Sequence, residues 1–473
     1  MICGGHSVIL DDLMRGLDFS YFVYYYMHNR QKGYILYIIH KFMDILLRKI
    51  IETQKNILEK SISKKYVPRT VFNNAKRLME TDLIKVIIGP RRAGKSILSL
   101  LLLEGKKFAY LNFDEDSLAQ VLKDIKDYDI LLEELFTVYG KTNNLFFDEI
   151  QNLDRWELFI NRLHREGYNV ILTGSNSKLL SKELATHLTG RHFEIKVFPF
   201  DFKEYLTAKE FEIKNESILL KEYKGELFNH LENYIINGGY PEIVTKELDN
   251  KEYLSTLFDS TILKDIIGRY KIRFPQKINT VSSIIINNIG NEMSYRKLMI
   301  PLDVKSSMTV EKYAKLIEES YTIFLLEKYS NKTKERFGLI KKPYTVDNGF
   351  ISAKSVQFSN NKGKLMENLI FTELVKRGYK PNFDLFYYKT KNFKEVDFIV
   401  RDGINVTYLI QSAYDISESK TENREINALI EASKELRCDS LLLITWDREE
   451  VKKIDGKEIQ YIPLWKWLLQ GNN

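Results

Sequence analysis

The stretch LIKVIIGPRRAGKSILSLLLLEG, from Leu83 to Gly105, governs the interpretation of the whole chain. Its apolar first part predicts a buried strand that stops at Gly89 and Pro90, and its last part predicts a helix. The residues between them match the pattern G-x-x-x-x-G-K-[ST] in full and are Gly89, Pro90, Arg91, Arg92, Ala93, Gly94, Lys95 and Ser96. In such a loop, backbone N–H groups and a helix N-terminus point at phosphate oxygens. The sequence therefore predicts a phosphate-binding loop, the P-loop, at these eight residues.

Two side chains of the P-loop have predicted roles with a nucleotide. Lys95 is expected to place its ammonium near the β- and γ-phosphates of ATP, and the Ser96 hydroxyl is expected to bind Mg²⁺. Arg91 and Arg92 are further candidates for contacts with phosphate. The alternative is a glycine turn that precedes a helix without binding a ligand.

A pair of acidic residues at the end of a second apolar run supports hydrolysis. In NLFFDEI, Asp148 and Glu149 follow four consecutive residues of a predicted strand. Asp148 is expected to hold the Mg²⁺ coordination shell, and Glu149 is expected to orient and polarise the attacking water. The alternative is that the two acids only terminate the strand.

Two later segments supply candidates for contacts with the γ-phosphate. In VILTGSNSKLL, Asn176 is the first candidate to sense the phosphate and Ser175 the second, although a turn with a helix N-cap explains the same residues. In HLTGRHFEI, Arg191 is a candidate arginine finger. A surface arginine paired with Glu194 is the alternative.

Composition indicates a globular protein and limits its cellular setting. The 473 residues are 44% hydrophobic and 29% charged, with 71 basic against 64 acidic residues and a net charge of +7. This mild excess is compatible with nucleic acid or acidic partners and proves neither. The only cysteines, Cys3 and Cys438, indicate no disulfide framework, so we expect a reducing, cytoplasmic setting.

The first 63 residues contain two apolar runs, at 19–27 and 34–47. Neither run reaches the ~20 residues of a membrane-spanning helix, so we expect no transmembrane segment. We predict an amphipathic helical extension that packs on the body of the protein or on a partner. A helix lying in a membrane interface is the alternative.

The ordered set of motifs resembles a family of AAA+-like P-loop ATPases found in archaea and bacteria. The segments that carry the resemblance are IIGPRRAGKS, LFFDEIQNL, VILTGSNSKLLSKELATHLTGR, FPFDFKEYL, NGGYPEIV, KPYTVDNGF and GKLMENLIFTELVKRG. Together they span roughly residues 65 to 450. The resemblance implies a P-loop ATPase core, a winged-helix-like segment and a C-terminal domain similar to PD-(D/E)XK nucleases.

The alternation of short strands and helices predicts an α/β fold with a parallel sheet. With the resemblance, it divides the chain into an N-terminal helical extension (1–63), a P-loop ATPase core (64–205) and a helical lid (206–275). A winged-helix-like segment (276–345) and a restriction-nuclease-like α/β domain (346–473) follow. The oligomeric state is open.

The winged-helix-like segment is a candidate contact for nucleic acid. Val310, Ala314 and Ile317 give its second helix a buried face, and Ser307 or Thr309 is the expected N-cap. The opposite face is expected to carry Glu311, Lys312, Lys315, Glu318 and Glu319. A DNA-reading surface should be net basic, so this mixed charge favours packing against protein.

The C-terminal domain has part of a nuclease motif. Glu367 and Asp397 match its two acids and form a possible second metal site, and Gln411 matches the third ligand position. Ala413 stands where the motif requires lysine, and Arg424 is a weak substitute. A nuclease-like scaffold without cleavage activity is therefore favoured over a nuclease.

The sequence leaves three functional classes open around one predicted activity, Mg²⁺-dependent hydrolysis of ATP coupled to domain rearrangement. In the first class, ATP turnover drives work on DNA or RNA. In the second, the protein is a slow switch that signals to a protein partner. In the third, ATP gates a nuclease.

Overall fold

The computed structural model describes residues 32–124, 128–175, 188, 190–213, 220–246, 248–330, 338–355, 361–416 and 419–471. They fall into two units. The first comprises the described residues up to Lys64 and the segment Gly105–Asn169, and the second comprises Lys65–Glu104 and the described residues from Val170 onward. The five segments expected from the sequence stay predictions.

Helices and strands largely alternate along the first two hundred residues. In chain order they are α1 (Lys32–Ile62), α2 (Phe72–Leu78), β1 (Ile84–Ile88), α3 (Lys95–Leu102), β2 (Ala109–Asn112), α4 (Asp116–Asp124), α5 (Asp129–Tyr139), β3 (Asn144–Asp148), α6 (Trp156–Arg165), β4 (Asn169–Gly174) and β5 (His192–Lys196). Strands β1 and β3 lie on the apolar runs that predicted them.

The remaining elements form a helical part and then a second set of strands. The helical part has α7 (Phe202–Ala208), α8 (Lys221–Asn237), α9 (Pro241–Thr245), α10 (Asn250–Thr261), a π-helix (Ile262–Gly268), α11 (Pro275–Ile286), β6 (Met293–Ser294), α12 (Tyr295–Leu298), α13 (Ser307–Glu319) and β7 (Ile323–Leu326). Then come β8 (Ile340–Thr345), α14 (Asn348–Lys354), α15 (Lys362–Lys376), β9 (Leu385–Lys389), β10 (Glu395–Asp402), β11 (Asn405–Ala413), α16 (Ser419–Leu436), β12 (Leu441–Thr445), β13 (Glu450–Ile454), β14 (Lys457–Pro463) and α17 (Leu464–Leu469).

In the first unit, α1 packs beside the parallel pair β2 and β3. The two strands pair from Ala109↔Leu145 to Asn112↔Asp148. Helix α1 contacts α4, α5 and β2, and its buried side chains recur at helical spacing: Leu47, Ile50, Ile51, Gln54 and Leu58. The described part of the N-terminal extension thus belongs to the core of this unit.

Polar contacts fix α1 in register with the first unit. The Gln54 side-chain amide accepts a hydrogen bond from the Asn112 N–H at 2.8 Å and donates one to the Asn112 carbonyl at 3.0 Å. It therefore satisfies both backbone groups at the last residue of β2. Nearer the start of α1, the Arg48 guanidinium makes two hydrogen bonds with Glu134 of α5, at 2.6 and 2.9 Å.

In the second unit, β1 lies between β4 and β5, and both pairings are parallel. All five residues of β1 are buried, as expected for a central strand of a parallel sheet covered by helices. These parallel pairs and the helices between them confirm the predicted α/β class.

The helical part carries a small antiparallel sheet in the order β6-β8-β7. Helix α11 precedes β6, and α12 and α13 lie between β6 and β7 in the chain. Ser306 caps α13, because its side chain accepts a hydrogen bond from the Met308 N–H. The prediction of Ser307 or Thr309 as the cap was therefore wrong, by one residue for Ser307 and by three for Thr309. The winged-helix character of this segment stays a prediction.

The C-terminal part is built on a mixed six-stranded sheet in the order β13-β14-β12-β11-β10-β9. Strands β9, β10 and β11 pair antiparallel, and β11, β12 and β14 pair parallel. Helix α16 contacts β10, β11 and β12, and α15 contacts β11. The likeness to a nuclease stays a prediction.

Within the part of the chain that the structure describes, no helix combines the length and apolar character needed to cross a membrane.

Candidate functional site

The loop between β1 and α3 is shaped by two glycines. Gly89 has a φ of +150°, and a Cβ atom at this position would lie 1.9 Å from the carbonyl oxygen of Val197. Gly94 is the N-cap of α3 and has a φ of +94°. Because other residues adopt neither backbone position without strain, the two glycines maintain the tight curl that the motif predicts.

Lys95 holds its ammonium at this loop. The residue is 4% exposed, and its Nζ donates to the carbonyl oxygens of Gly89 at 3.2 Å and Pro90 at 3.0 Å. A buried ammonium is costly unless it is hydrogen-bonded, and the loop carbonyls satisfy that need. Ser96 follows in the first turn of α3. The P-loop residues therefore fit a bound nucleoside triphosphate, because the glycines shape a cradle for the phosphates and the Lys95 ammonium lies beside it.

Arg69 supports the loop from outside the motif. Its guanidinium donates to the carbonyl oxygen of Ala93 at 2.8 Å and to that of Phe198 at 2.6 Å. Its Nε lies 3.0 Å from a carboxylate oxygen of Glu204, on α7. No sequence pattern indicates Arg69, because it lies twenty residues before Gly89 in a segment with no motif.

The two arginines inside the P-loop reach into the helical part. The Arg91 guanidinium makes two 2.8 Å hydrogen bonds with Asp265, a 1% exposed residue of the π-helix. Arg92, which is largely exposed, lies 3.6 Å from a carboxylate oxygen of Glu242 on α9. Both residues were predicted as phosphate contacts; the structure pairs their side chains with acids of the helical part.

A second arginine, Arg269, also faces Asp265. Arg269 lies one turn farther along the chain, with its Nη2 3.9 Å from an Asp265 carboxylate oxygen. Its Nη1 is buried and has no hydrogen-bond partner among the described residues. One carboxylate therefore faces two guanidinium groups.

Asp148 and Glu149 belong to the first unit. Asp148 ends β3, is buried, and accepts a 3.3 Å hydrogen bond from the Tyr110 hydroxyl. Burial, with the charge of Asp148, raises the pKa of Tyr110 above its ordinary value, so this phenol remains a donor. Asp148 thus keeps a fixed orientation at the end of its strand.

Glu149 has an unusual backbone. Its φ is +53°, in the left-handed region that costs a non-glycine residue about 1–3 kcal/mol. Its Oε2 accepts a 2.5 Å hydrogen bond from the side-chain amide of Gln151. Such strain concentrates at functional positions. Glu149 lies between the end of β3 and a short 3-10 helix, so its left-handed backbone sets the direction of its side chain.

The other predicted phosphate contacts have different outcomes. Asn176 lies outside the described residues, whereas Ser175 is fully buried directly after β4. Arg191 is exposed before β5, and its backbone carbonyl accepts from the Ile84 N–H at 2.9 Å. A carboxylate oxygen of Glu194, the alternative partner of Arg191, lies 3.9 Å from the His192 ring, an ion pair only when that histidine is protonated.

In the C-terminal part, one lysine joins the acids of the predicted second metal site. Lys342 lies on β8 with 0% of its surface exposed. Its Nζ is 2.6 Å from Glu367 of α15, 2.7 Å from Glu395 and 3.5 Å from Asp397, both on β10. Although burial lowers the pKa of Lys342, the charges of Glu367 and its other acidic neighbours hold that pKa well above the ordinary value.

Asp397 is less well compensated than Glu367. Burial and then the charge of Glu367 raise the pKa of Asp397 to about 7. Burial also penalises the Glu367 carboxylate, but Lys342 and Lys364 hold the pKa of Glu367 below its ordinary value. The difference follows from distance, since the Lys342 ammonium is closer to Glu367 than to Asp397.

The predicted third ligand is engaged elsewhere. The Gln411 side chain accepts from the Asp397 N–H at 3.0 Å and donates to Glu425 of α16. Arg424, the predicted substitute cation, pairs with Glu425. Among the described residues, no three His, Cys, Asp and Glu side chains are grouped to hold a metal ion.

The outer face of α13 differs from the prediction. Glu319 is buried and accepts a hydrogen bond from the Tyr270 hydroxyl, and Glu318 accepts one from the Leu325 N–H at 3.0 Å. Both acids were expected on the exposed face. Their hydrogen bonds turn them toward neighbouring segments, so the exposed face is less acidic than predicted.

Three family models match successive parts of the chain. Residues 81–206 match the model described as AAA domain. Residues 228–361 and 362–467 match two models described as domains of unknown function, DUF8612 and DUF4143. The AAA domain includes the P-loop, Asp148, Glu149 and Arg191. This match supports nucleotide binding and hydrolysis.

Two relatives cover most of the chain. The uncharacterised protein MJ1544 of Methanocaldococcus jannaschii is 38% identical over 82% of this chain and 88% of its own length. The chain belongs to the same family as this protein. An uncharacterised protein of Haemophilus influenzae is 32% identical over 83% of this chain and 95% of its own length. The family therefore has members in an archaeon and a bacterium.

A solved structure similar to part of this chain is the Walker-type ATPase PABY2304 of Pyrococcus abyssi. It has 15% sequence identity and a TM-score of 0.40, and the match covers 61% of this chain and 95% of that protein.

Proposed function

We propose that this protein is a magnesium-dependent ATPase whose P-loop transmits its nucleotide state to the helical part. The observation that carries the proposal is the buried ammonium of Lys95, held by two carbonyls of a loop that only glycines at positions 89 and 94 permit. The AAA domain match to the same residues supports it.

The chain's own residues divide the binding task. Backbone N–H groups of the P-loop and the ammonium of Lys95 would hold the phosphates, and the Ser96 hydroxyl would bind the magnesium ion. Bound magnesium supplies charge that neutralises the phosphate oxygens. The roles of Asp148 at magnesium, Glu149 at water, and Asn176 and Arg191 at the γ-phosphate stay predictions from the sequence.

The arginines of the P-loop provide the route to the helical part. Phosphate oxygens compete with carboxylates for guanidinium groups, because both accept paired N–H bonds. A nucleotide whose phosphates bind Arg91 would weaken the Arg91–Asp265 pair, and the π-helix would lose this contact with the P-loop. This supports coupling between nucleotide binding and a movement of the helical part.

ATP turnover by the purified full-length chain tests the proposal. We expect Mg²⁺-dependent phosphate release by the wild type and none by Lys95→Ala, which loses the ammonium. Lys107→Ala, which alters an exposed lysine, is the control and should keep wild-type turnover. Equal turnover by wild type and Lys95→Ala would refute the proposal.

A second candidate function is contact with nucleic acid through α13. Met308, Lys312 and Lys315 are exposed at helical spacing, opposite the buried Val310 and Ala314. Upstream, Arg296, Lys297 and Lys305 are also exposed. Glu318 and Glu319 accept hydrogen bonds from neighbouring segments, and Glu311 pairs with Lys315 at 2.6 Å. Lys312 and the upstream basic residues therefore supply the positive charge that favours a phosphate backbone as partner.

Binding of labelled duplex DNA and of single-stranded RNA tests the second function. We expect Lys312→Glu with Lys315→Glu to weaken binding and to flatten its dependence on salt. Lys420→Glu reverses the charge of an exposed lysine on α16 and serves as the matched control. If neither nucleic acid binds or changes ATP turnover, the slow switch acting on a protein partner is favoured instead.

A further inference from the structure

Three carboxylates of the C-terminal part converge on a single ammonium. Glu367 projects from α15, and Glu395 and Asp397 project from β10, while Lys342 enters from β8. The Lys342 side chain is wholly buried, and its Nζ lies 2.6, 2.7 and 3.5 Å from the three acids in that order. The nuclease motif would place a divalent metal ion between two of these carboxylates, Glu367 and Asp397.

The carboxylate oxygens that do not face Lys342 also have partners. The second oxygen of Glu367 accepts from Lys364 at 2.9 Å, and the second oxygen of Glu395 lies 3.6 Å from Lys389. Three ammonium groups thus surround the three carboxylates, although Lys389 also pairs with Glu292 at 2.8 Å.

Asp397 is fixed from the opposite side by Ser412 of β11. Its Oδ2 accepts from the Ser412 N–H at 3.0 Å and from the Ser412 hydroxyl at 2.7 Å. The Tyr344 hydroxyl donates to the Glu367 oxygen that faces Lys342, at 2.7 Å. The group is therefore closed by protein donors, and each carboxylate is oriented without a metal ion.

We propose that Lys342 is a built-in cation that occupies the metal position of this nuclease-like domain. Mg²⁺ binds carboxylate oxygens at about 2.0–2.1 Å. An ion bound between the facing oxygens of Glu367 and Asp397 would meet the Lys342 ammonium, which lies 2.6 Å from the first oxygen and 3.5 Å from the second. The ammonium and a divalent ion at the same Glu367 oxygen would repel each other. The metal implied by the resemblance does not fit these residues. The domain is a scaffold whose acids are neutralised internally, an inference independent of the ATPase function.

Removal of the ammonium should open the site to a divalent ion. Lys342→Met keeps most of the side-chain volume and leaves three acids without their shared cation. Lys341→Met is the matched control, since Lys341 is the adjacent residue of β8, is also buried, and pairs with Glu327 at 2.7 Å. Both changes are made in the Lys95→Ala background, which removes the expected nucleotide-associated metal site.

Mn²⁺ binding to the full chain, measured by electron paramagnetic resonance, tests the proposal. Lys342→Met should bind Mn²⁺ at least about tenfold more tightly than its parent, and a further Asp397→Asn change should abolish the gain. Lys341→Met should show no gain. A folded Lys342→Met variant that gains no Mn²⁺ binding would overturn the proposal.

The protein with Lys342 intact provides a second measurement if Lys342→Met does not fold. It should bind no Mn²⁺ that Asp397→Asn removes, and it should not cleave DNA or RNA with Mn²⁺ or Mg²⁺. Either Asp397-dependent Mn²⁺ binding or Asp397-dependent cleavage in the presence of Lys342 would show that the lysine leaves room for a metal ion.

Discussion

Arg91 of the P-loop and Asp265 of the π-helix are joined by two hydrogen bonds of 2.8 Å. The arginine belongs to the motif that defines the nucleotide site, and the aspartate lies 174 residues later. π-Helical turns often mark functional positions because they interrupt regular helical hydrogen bonding. This pair connects the P-loop directly with the helical part.

Replacement of Asp265 should weaken this connection. Asp265→Asn removes a buried carboxylate that faces Arg91 and Arg269, and the loss of one partner from such a group costs about 3 kcal/mol. We expect a lower midpoint in urea unfolding. The control is Asp259→Asn, on α10 shortly before the π-helix, which breaks an exposed ion pair with Lys354. This change should cost less than about 1 kcal/mol. Equal effects of the two changes would contradict a structural role for Asp265.

An added methyl group at Gly89 should disrupt the P-loop. In Gly89→Ala the Cβ atom would meet the Val197 carbonyl at 1.9 Å, so the loop must shift at a cost of about 1–3 kcal/mol. We expect lower thermal stability and loss of binding of a fluorescent ATP analogue.

Gly225→Ala is the control for this change, because it adds a methyl group within α8 where nothing lies within 4 Å. We expect this helix substitution to stabilise the protein slightly, by roughly 0.5–1 kcal/mol. Normal nucleotide binding by Gly89→Ala would show that the loop tolerates a side chain.

Glu149→Gln should separate nucleotide binding from hydrolysis. The amide keeps the size of the side chain but cannot accept a proton from water, so turnover should fall at least about 100-fold. Binding of the ATP analogue should persist. Glu133→Gln, on the exposed face of α5, should behave as wild type. Full turnover by Glu149→Gln would exclude its role in water activation.

Asp397 should make stability depend on pH with a defined sign. Its pKa rises from the ordinary value near 4 to about 7, so the folded chain retains a proton that the unfolded chain has released. This contribution is complete below about pH 4 and is lost as the pH rises through 7. The charged groups near Asp397 include Lys342, Glu367, Lys364, Glu395 on the same strand and Arg424 on α16.

Asp397→Asn should remove this dependence. Between about pH 4 and 7, the wild type should lose stability relative to the variant by up to about 1.4 kcal/mol per pH unit. Urea unfolding at several pH values measures the difference. Asp402→Asn, at the exposed end of the same strand, should follow the wild-type curve. Parallel curves for wild type and Asp397→Asn would rule out a raised pKa.

The P-loop could be predicted from the sequence because its parts are consecutive residues. The strand, both glycines, Lys95 and the helix lie in one continuous segment, and each has its own chemical requirement. Arg69 and Asp265 could not be predicted, because neither belongs to a local pattern. They reach the loop only through the packing of segments that are distant in the chain.

Lys342 shows a second reason why part of the site could not be predicted from the sequence. The motif predicts a lysine at position 413, where the chain has Ala413, and Arg424 was the expected substitute. The cation beside Asp397 comes instead from Lys342 on β8. Lys341 and Lys342 are adjacent, yet strand alternation sends the first to Glu327 and the second to the three acids. Glu318 and Glu319 were misplaced similarly, since helical spacing alone did not reveal their partners Leu325 and Tyr270.

Helix α1 has a practical consequence for work with the isolated protein. The family motifs begin near residue 65, which makes that position an attractive start for a shortened recombinant chain. Such a chain would lack α1, so the faces of α4 and α5 that pack against α1 would be exposed. The backbone N–H and carbonyl of Asn112 would also lose their hydrogen bonds with the Gln54 side chain. Failure of that product to stay in solution would reflect a missing part of the hydrophobic core, and an inactive preparation would say nothing about the ATPase.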